Sequence, residues 1–274
     1  VFWCVVFGAG NWSIPTEQRG PAPTLVVGQV IWLGGGASGQ CPAKVTAVDP
    51  RSPRLVELTF ADAGAALWEF LYTQGRPVQY AYLDRGYPLA QFQTAYAGRP
   101  WAAEMPSAGR GLSWEVLQRL AAAGIEIATL THAAGLSSTG DAELDARLPL
   151  PERYEIPEAT VEAIAVARAS GRRVIAVGTT VVRALEGAAV QGALHAGPGL
   201  TDFKLGPTTE LQIVDSLLTG MHGPGESHFE LLSAFAERAR LLTVWEQAAA
   251  HGFICHEFGD LCLILEVPTG PQRS

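Results

Sequence analysis

The chain reads as an α/β protein, a mixed-sheet α/β domain with an inserted small β-barrel domain, and three observations predict it. As far as about Leu83 the sequence is short-segmented, β-branched and interrupted by glycine and proline. Beyond that point, segments with helical spacing alternate with apolar runs of strand length. Within the second region, Val174-Ile175-Ala176-Val177 runs into Gly178-Thr179-Thr180 and then directly into a helical pattern. The division is placed at 1–85 for the barrel-like part and 86–274 for the α/β part.

In the first part, Val1–Phe7, Thr24–Leu33, Lys44–Val48 and Leu55–Phe60 read as strands. Turns are expected at Gly8–Asn11, Gly34–Gly39 and Asp49–Pro53. Gly34-Gly35-Gly36 lacks the Gly-Lys-Ser/Thr of a phosphate loop and is taken as a hairpin tip. Ala61–Tyr72 is the helix of this part, with Leu67, Phe70 and Leu71 along one face.

In the second part, Ser113 is a good N-cap for a helix over Trp114–Ala123, which Gly124 ends. Ile125–Leu130 is expected as a buried strand. Pro157 takes a first helical position before Glu158–Ser170, closed by Gly171. Leu211–Val214 and Leu261–Leu265 read as strands, and His228–Ala239 and Leu242–Ala250 as helices.

Composition narrows the class. The chain has 274 residues, 48% hydrophobic and 17% charged, as globular proteins do. A formal charge of −8 supplies no general field for nucleic acid, although a local basic groove is compatible with it. No apolar run reaches the roughly 18–20 residues that cross a bilayer, so no membrane partner is expected. Val1–Phe7 is too short for a signal peptide and begins without Met, which leads to the expectation of a truncated or processed chain. Cys4, Cys41, Cys255 and Cys262 show no metal-ligand spacing; no metal site is expected, and reduced thiols suit a cytoplasmic protein. Cys255 and His256 are neighbours in sequence, and strand geometry would turn them to opposite faces.

Polar residues cluster where expected strands end, the usual place for a ligand crevice in an open α/β sheet. Gly178, Thr179 and Thr180 offer backbone N–H groups and hydroxyls at a helix start, and Arg183 is expected in the first turn of that helix, placed to grip a carboxylate or phosphate with two parallel hydrogen bonds. His132 follows the strand at 125–130 and His222 lies in Thr219-Gly220-Met221-His222-Gly223-Pro224; either can move a proton near neutral pH. Asp202 follows a glycine-rich loop and reads equally as a turn cap. Asp215 reads equally as a helix cap.

Eight segments in order then resemble the S-adenosylmethionine:tRNA ribosyltransferase-isomerase family of queuosine biosynthesis. They are Phe92–Ala97, Pro106-Ser107-Ala108-Gly109, Gly124–His132, Tyr154–Thr160, Gly178–Glu186, Val214–Thr219 with His222 and Pro224, Leu232–Ala236, and Phe258-Gly259-Asp260. The resemblance implies an α/β domain carrying an inserted β-barrel and S-adenosylmethionine used as a ribosyl donor. The implied acceptor is the aminomethyl-deazaguanine base of tRNA, with adenine and methionine released. Carried onto this chain, it implies proton transfer by His132 or His222. It implies substrate contacts from Ser107, Gly109, Gly178, Thr179, Thr180, Arg183, Asp202 and Asp215.

Several loops depart from the family pattern. Gly111 stands where the family has a histidine, and Gly220–Ser227 lacks its asparagine and lysine. His132-Ala133-Ala134-Gly135-Leu136-Ser137-Ser138 replaces His-Val-Gly-Leu-Gly-Thr-Phe, and Pro149-Leu150-Pro151-Glu152 replaces Met-His-Ser-Glu. His228, Glu226 and Arg110 are candidate substitutes for the lost groups. Two alternatives therefore stand beside the parent reaction: S-adenosylmethionine used with a small-molecule acceptor, and a non-catalytic binding module.

Overall fold

The structure, a computed structural model, describes residues 1–35, 39–190, 192–225, 227–254 and 258–265. In chain order the elements are β1 (Phe2–Val5), β2 (Val30–Gly34), β3 (Gln40–Asp49), β4 (Ser52–Phe60) and α1 (Gly64–Gln74). There follow α2 (Trp114–Ala122), β5 (Thr131–His132), α3 (Ala142–Asp145), β6 (Glu152–Ile156), α4 (Glu158–Ala169), β7 (Ile175–Val177) and α5 (Thr179–Ala189). The last are β8 (Gly197–Thr201), β9 (Ser216–Gly220), α6 (Ser227–Leu232), α7 (Arg238–Ala250) and β10 (Leu261–Ile264). They form two compact units, Val1–Phe92 with Leu136–Leu148, and Gln93–Gly135 with Pro149–Ser274.

The first unit is built on an antiparallel sheet of order β1-β4-β3-β2. Strand alternation buries Cys41, Ala43 and Val45 of β3, and the last two pack with Val56 and Leu58 of β4 and with Leu25. The small barrel expected here is corrected to an open sheet: among the described residues β1 and β2 are its outer strands. Four strands are too few to curl round and pair edge to edge. The second expected strand is also shorter, starting at Val30 instead of Thr24. Gly28 has φ 91° and the Gln29 N–H turns back to the Val26 carbonyl at 3.0 Å, which breaks extension. The hairpin at Asp49–Ser52 is as expected, with Asp49 accepting the N–H groups of Arg51 and Ser52. Its carboxylate also receives two guanidinium donors of Arg147 at 3.0 and 2.7 Å, which lowers its pKa to about 2 and fastens residues 136–148 to this unit. Arg54 adds a bond to the Thr139 carbonyl at 2.8 Å.

The second unit holds two three-stranded sheets, β10-β9-β7 and β5-β6-β8. The first is mixed: β9 runs antiparallel to β10 and parallel to β7. The second is antiparallel throughout. Helix α5 packs against β5, β7, β8 and β9, and its Val182, Leu185 and Ala189 enter a core shared with Ile156, Ile164, Leu217 and Phe229. Three expectations change here. Ile125–Leu130 is not a buried strand: pairing is confined to Thr131–His132, and Ile125 and Ile127 are 50% and 43% exposed, with no strand beside them among the described residues. Leu211–Val214 is a loop, and the strand starts at Ser216. The helix expected over His228–Ala239 divides into α6 and the start of α7. Ser113 caps α2, its hydroxyl accepting the Val116 N–H, whereas Pro157 sits at the N-cap of α4, one position earlier than expected.

Cys4, Cys41 and Cys262 are free thiols whose pKa burial raises, in the case of Cys4 to about 11. Cys255, His256, Glu226 and Gly36 lie outside the described residues. Among the described residues no helix is long and apolar enough to cross a membrane.

Candidate functional site

Strand β7 ends at Val177, and Gly178 turns the chain with φ 97°, a backbone state that side chains oppose. Its N–H bonds to the Leu218 carbonyl of β9 at 2.9 Å, and helix α5 starts at the next residue. Thr179 is buried and Thr180 half-buried at this helix start. A 3-10 turn, Ser107–Gly111, packs against β9 beside them. A Cβ placed on Gly178 would lie 3.9 Å from that of Ala108, and one on Gly109 would collide with the Tyr96 hydroxyl. The second glycine therefore permits a close approach, while the first permits a conformation. His222 follows the same end of β9, its Nε2 3.2 Å from Thr219 Oγ1 and its ring stacked on His228 at 4.7 Å and 15°. Ser107, Gly109, Gly178, Thr179, Thr180 and His222 thus gather at the carboxyl ends of β7 and β9.

Arg183 lies four residues beyond Thr179 on α5, about 6 Å along the axis and on the same face. It is 7% exposed and already engaged. Its Nη1 pairs with Glu152 of β6 and its Nε donates to the Phe203 carbonyl at 3.1 Å, while the buried Nη2 has no hydrogen-bond partner. Glu152 Oε1 accepts the Gly135 N–H at 2.6 Å, and Oε2 lies 3.4 Å from His132 Nε2. The His132 side chain is 4% exposed, and neither ring nitrogen makes a hydrogen bond. Burial, helped by the positive Arg183, lowers the imidazole pKa to about 4. His132, Glu152 and Arg183 therefore form a buried cluster holding a neutral base and three unsatisfied polar atoms. Leaving such groups unsatisfied costs ~1–3 kcal/mol each, which a ligand carrying matching groups recovers.

Two expected residues stand apart. Asp202 is exposed just beyond β8, although its neighbours Thr201 and Phe203 both bond Arg183. Asp215 lies at the amino ends of β7 and β9, where its carboxylate accepts the Val174 N–H at 2.7 Å. A cleft of about 1550 Å³ opens at that end, lined by Asp215, Arg168, Leu211, Phe235, Leu241 and Leu263 among others, and no other expected site residue lines it.

Sequence reasoning missed Glu152 and Glu186. Each had a signal: period-two alternation puts Glu152 on the face of the buried Ile156, and Glu186 interrupts the apolar stripe of α5. Glu186 accepts the N–H groups of Gln212, Ile213 and Val214 at 2.8, 3.0 and 2.8 Å.

The lowered pKa of His132 carries a stability consequence. Unfolded, the imidazole takes a proton near its ordinary value of 6.5; folded, it does so only at about 4. Between those values the unfolded chain binds more protons, so stability falls as pH drops from about 6.5 towards 4, by roughly 3 kcal/mol in all. Thermal midpoints of wild type should therefore decline more between pH 7 and 4.5 than those of His132→Leu. Parallel declines would show that the imidazole does not titrate in this way.

Polar groups gathered at the carboxyl ends of β7 and β9, with the buried His132–Glu152–Arg183 cluster, make this mixed-sheet α/β unit a candidate ligand-binding unit. The profile described as queuosine biosynthesis protein matches residues 14–264, and the chain belongs to that family. Proteins named S-adenosylmethionine:tRNA ribosyltransferase-isomerase are similar to it. The one from Acaryochloris marina is 41% identical over 187 residues, 67% of this chain and 51% of the relative. That from Thermosynechococcus vestitus is 38% identical, covering 89% and 69%, and that from Moorella thermoacetica 34%, covering 89% and 72%. The chain thus spans between about half and seven tenths of the length of these relatives. The crystal structure of S-adenosylmethionine tRNA ribosyltransferase from Thermotoga maritima shares the fold, with a TM-score of 0.50 at 23% identity over 82% of this chain and 62% of that one.

Proposed function

We propose that this chain carries out S-adenosylmethionine-dependent ribosyl transfer and isomerisation onto the aminomethyl-deazaguanine base of tRNA, in the cytoplasm, with release of adenine and methionine. One observation supports the reading above others. Buried His132 Nδ1, His132 Nε2 and Arg183 Nη2 lack hydrogen-bond partners, and Arg183 stands one helical turn beyond Thr179, in a chain of this family.

The reaction needs a base for the acidic proton beside a positively charged sulfur, an acid for the departing adenine, and groups that hold carboxylate and hydroxyls. His132 is neutral at physiological pH and takes the proton. Arg183, its charge balanced by Glu152, offers one hydrogen bond from Nη2 in place of a two-pronged clamp. The N–H groups and hydroxyls of Thr179 and Thr180, set at the helix start by the Gly178 turn, hold the methionine carboxylate. His222, half-buried at the end of β9, hands a proton to adenine. Ser107 and Gly109 shape the wall beside Gly178. Asp202 and Asp215 take no part, since one faces solvent and the other holds the Val174 N–H.

Incubation with S-adenosylmethionine and tRNA bearing the aminomethyl-deazaguanine base should yield adenine, methionine and an epoxycyclopentanediol nucleoside, read by mass spectrometry of the digested tRNA. Absence of that nucleoside, with no heat of binding for S-adenosylmethionine in calorimetry, would overturn the proposal.

A further inference from the structure

We propose that Glu152 is a positioning residue: it fixes His132 as the Nε2–H tautomer, so that Nδ1 is the nitrogen that accepts the proton, and it sets the orientation of Arg183. The identity of the proton's donor rests on the function proposed above; the tautomer does not.

The geometry starts with strand alternation. His132 is directly opposite Tyr154 in the β5–β6 pair, and Glu152 shares the face of Tyr154 two residues away. The charged and titratable groups facing His132 from the packed elements are thus Glu152 and Tyr154 on β6 and Arg183 on α5. Arg153 and Glu155 alternate to the other face, where Arg153 stacks over Trp101 and Glu155 pairs with Arg99.

The Glu152 carboxylate is held from two sides, by the Gly135 N–H on Oε1 and by Arg183 Nη1 on Oε2. The oxygen shared with Arg183 is the one that lies 3.4 Å from His132 Nε2. A bare imidazole lone pair facing a carboxylate oxygen is repelled, whereas an N–H there is attracted, so the proton of the neutral ring belongs on Nε2. The 3.4 Å separation is longer than a hydrogen bond, and contacts of this kind shorten when substrate completes a site. Both carboxylate oxygens are already engaged as acceptors, Oε1 by the Gly135 N–H and Oε2 by Arg183, so Glu152 serves as a holder and not as the base itself. What is left over is Nδ1, buried and without a partner.

The test is a long-range proton–nitrogen correlation spectrum of protein with labelled histidines at pH 7.5. The chain has six histidines, and His132 is assigned from the signal missing in His132→Gln. The expected result is a protonated Nε2 and a pyridine-type Nδ1 in the wild-type protein. An Nδ1–H tautomer overturns the inference, and because the tautomer is read on the wild-type chain it decides the matter even if Glu152→Gln fails to fold. Glu152→Gln should blur the single tautomer and lower kcat for adenine release about 10- to 100-fold, with a smaller change in KM for S-adenosylmethionine. A variant with wild-type tautomer and wild-type kcat also overturns it. The two readings fail separately. Product formed by an Nδ1–H enzyme sinks the positioning role alone, and an Nε2–H protein that forms no product sinks the reaction alone.

Discussion

Glu186→Ala is expected to destabilise the second unit by about 3–5 kcal/mol. The Glu186 carboxylate is 3% exposed and receives three consecutive backbone N–H groups, those of Gln212, Ile213 and Val214. Those residues form the loop that the sequence pattern suggests as a strand. Without a neighbouring strand their donors need another acceptor, and the helix side chain supplies it. Removing it strands donors in a buried place, at ~1–3 kcal/mol each, less what entering water restores. For a unit of this size the thermal midpoint should fall by about 10 °C. Glu186→Gln keeps one acceptor oxygen but sets an amide donor against an N–H, so an intermediate loss is expected. The loop leads into β9, whose Leu218 carbonyl anchors Gly178 and whose end carries His222. A destabilisation below about 1 kcal/mol for the Ala variant, in thermal melts followed by circular dichroism, would mean that Glu186 does not organise this loop.

Local chemistry was legible where one short segment decides the outcome. Ser113 capping α2, the Asp49–Ser52 hairpin and the Gly178 turn each depend on residues a few positions apart. The strand expected over Lys44–Val48 lies within β3, which runs on both sides of it from Gln40 to Asp49. Partnership was not legible. Ile125–Leu130 has the composition of a buried strand, yet a strand exists only where another lies beside it. The barrel failed as an expectation for a related reason: the pattern of a strand does not say whether the last one returns to the first. In the site, the glycines and threonines of the turn were found because turn chemistry is local. Arg183 was found by position, but its engagement with Glu152, 31 residues earlier, was not. An arginine that looks like an anion clamp in sequence is, once folded, a neutralised donor with one free edge. That difference changes the charge the pocket offers, and only tertiary structure reveals it.

His132→Ala should lower adenine release by about 100- to 10,000-fold while leaving the binding of S-adenosylmethionine within a few-fold of wild type. The imidazole is the buried base of the cluster, neutral because burial and Arg183 hold its pKa at about 4. It therefore acts as an acceptor throughout the neutral range, and its rate contribution should be flat from pH 7 down to about 5. Arg183→Ala is a poorer probe of the same site. It leaves the Glu152 carboxylate buried without its counter-ion, a change that costs ~3–5 kcal/mol, so lost activity and lost fold would coincide. The imidazole carries no such compensating charge, and at pH 7 its removal takes away two unsatisfied nitrogens. Single-turnover adenine release, measured beside calorimetric affinity, separates chemistry from binding. Wild-type release by His132→Ala would remove it as the base and, with a matching loss in His222→Ala, move that role to the end of β9.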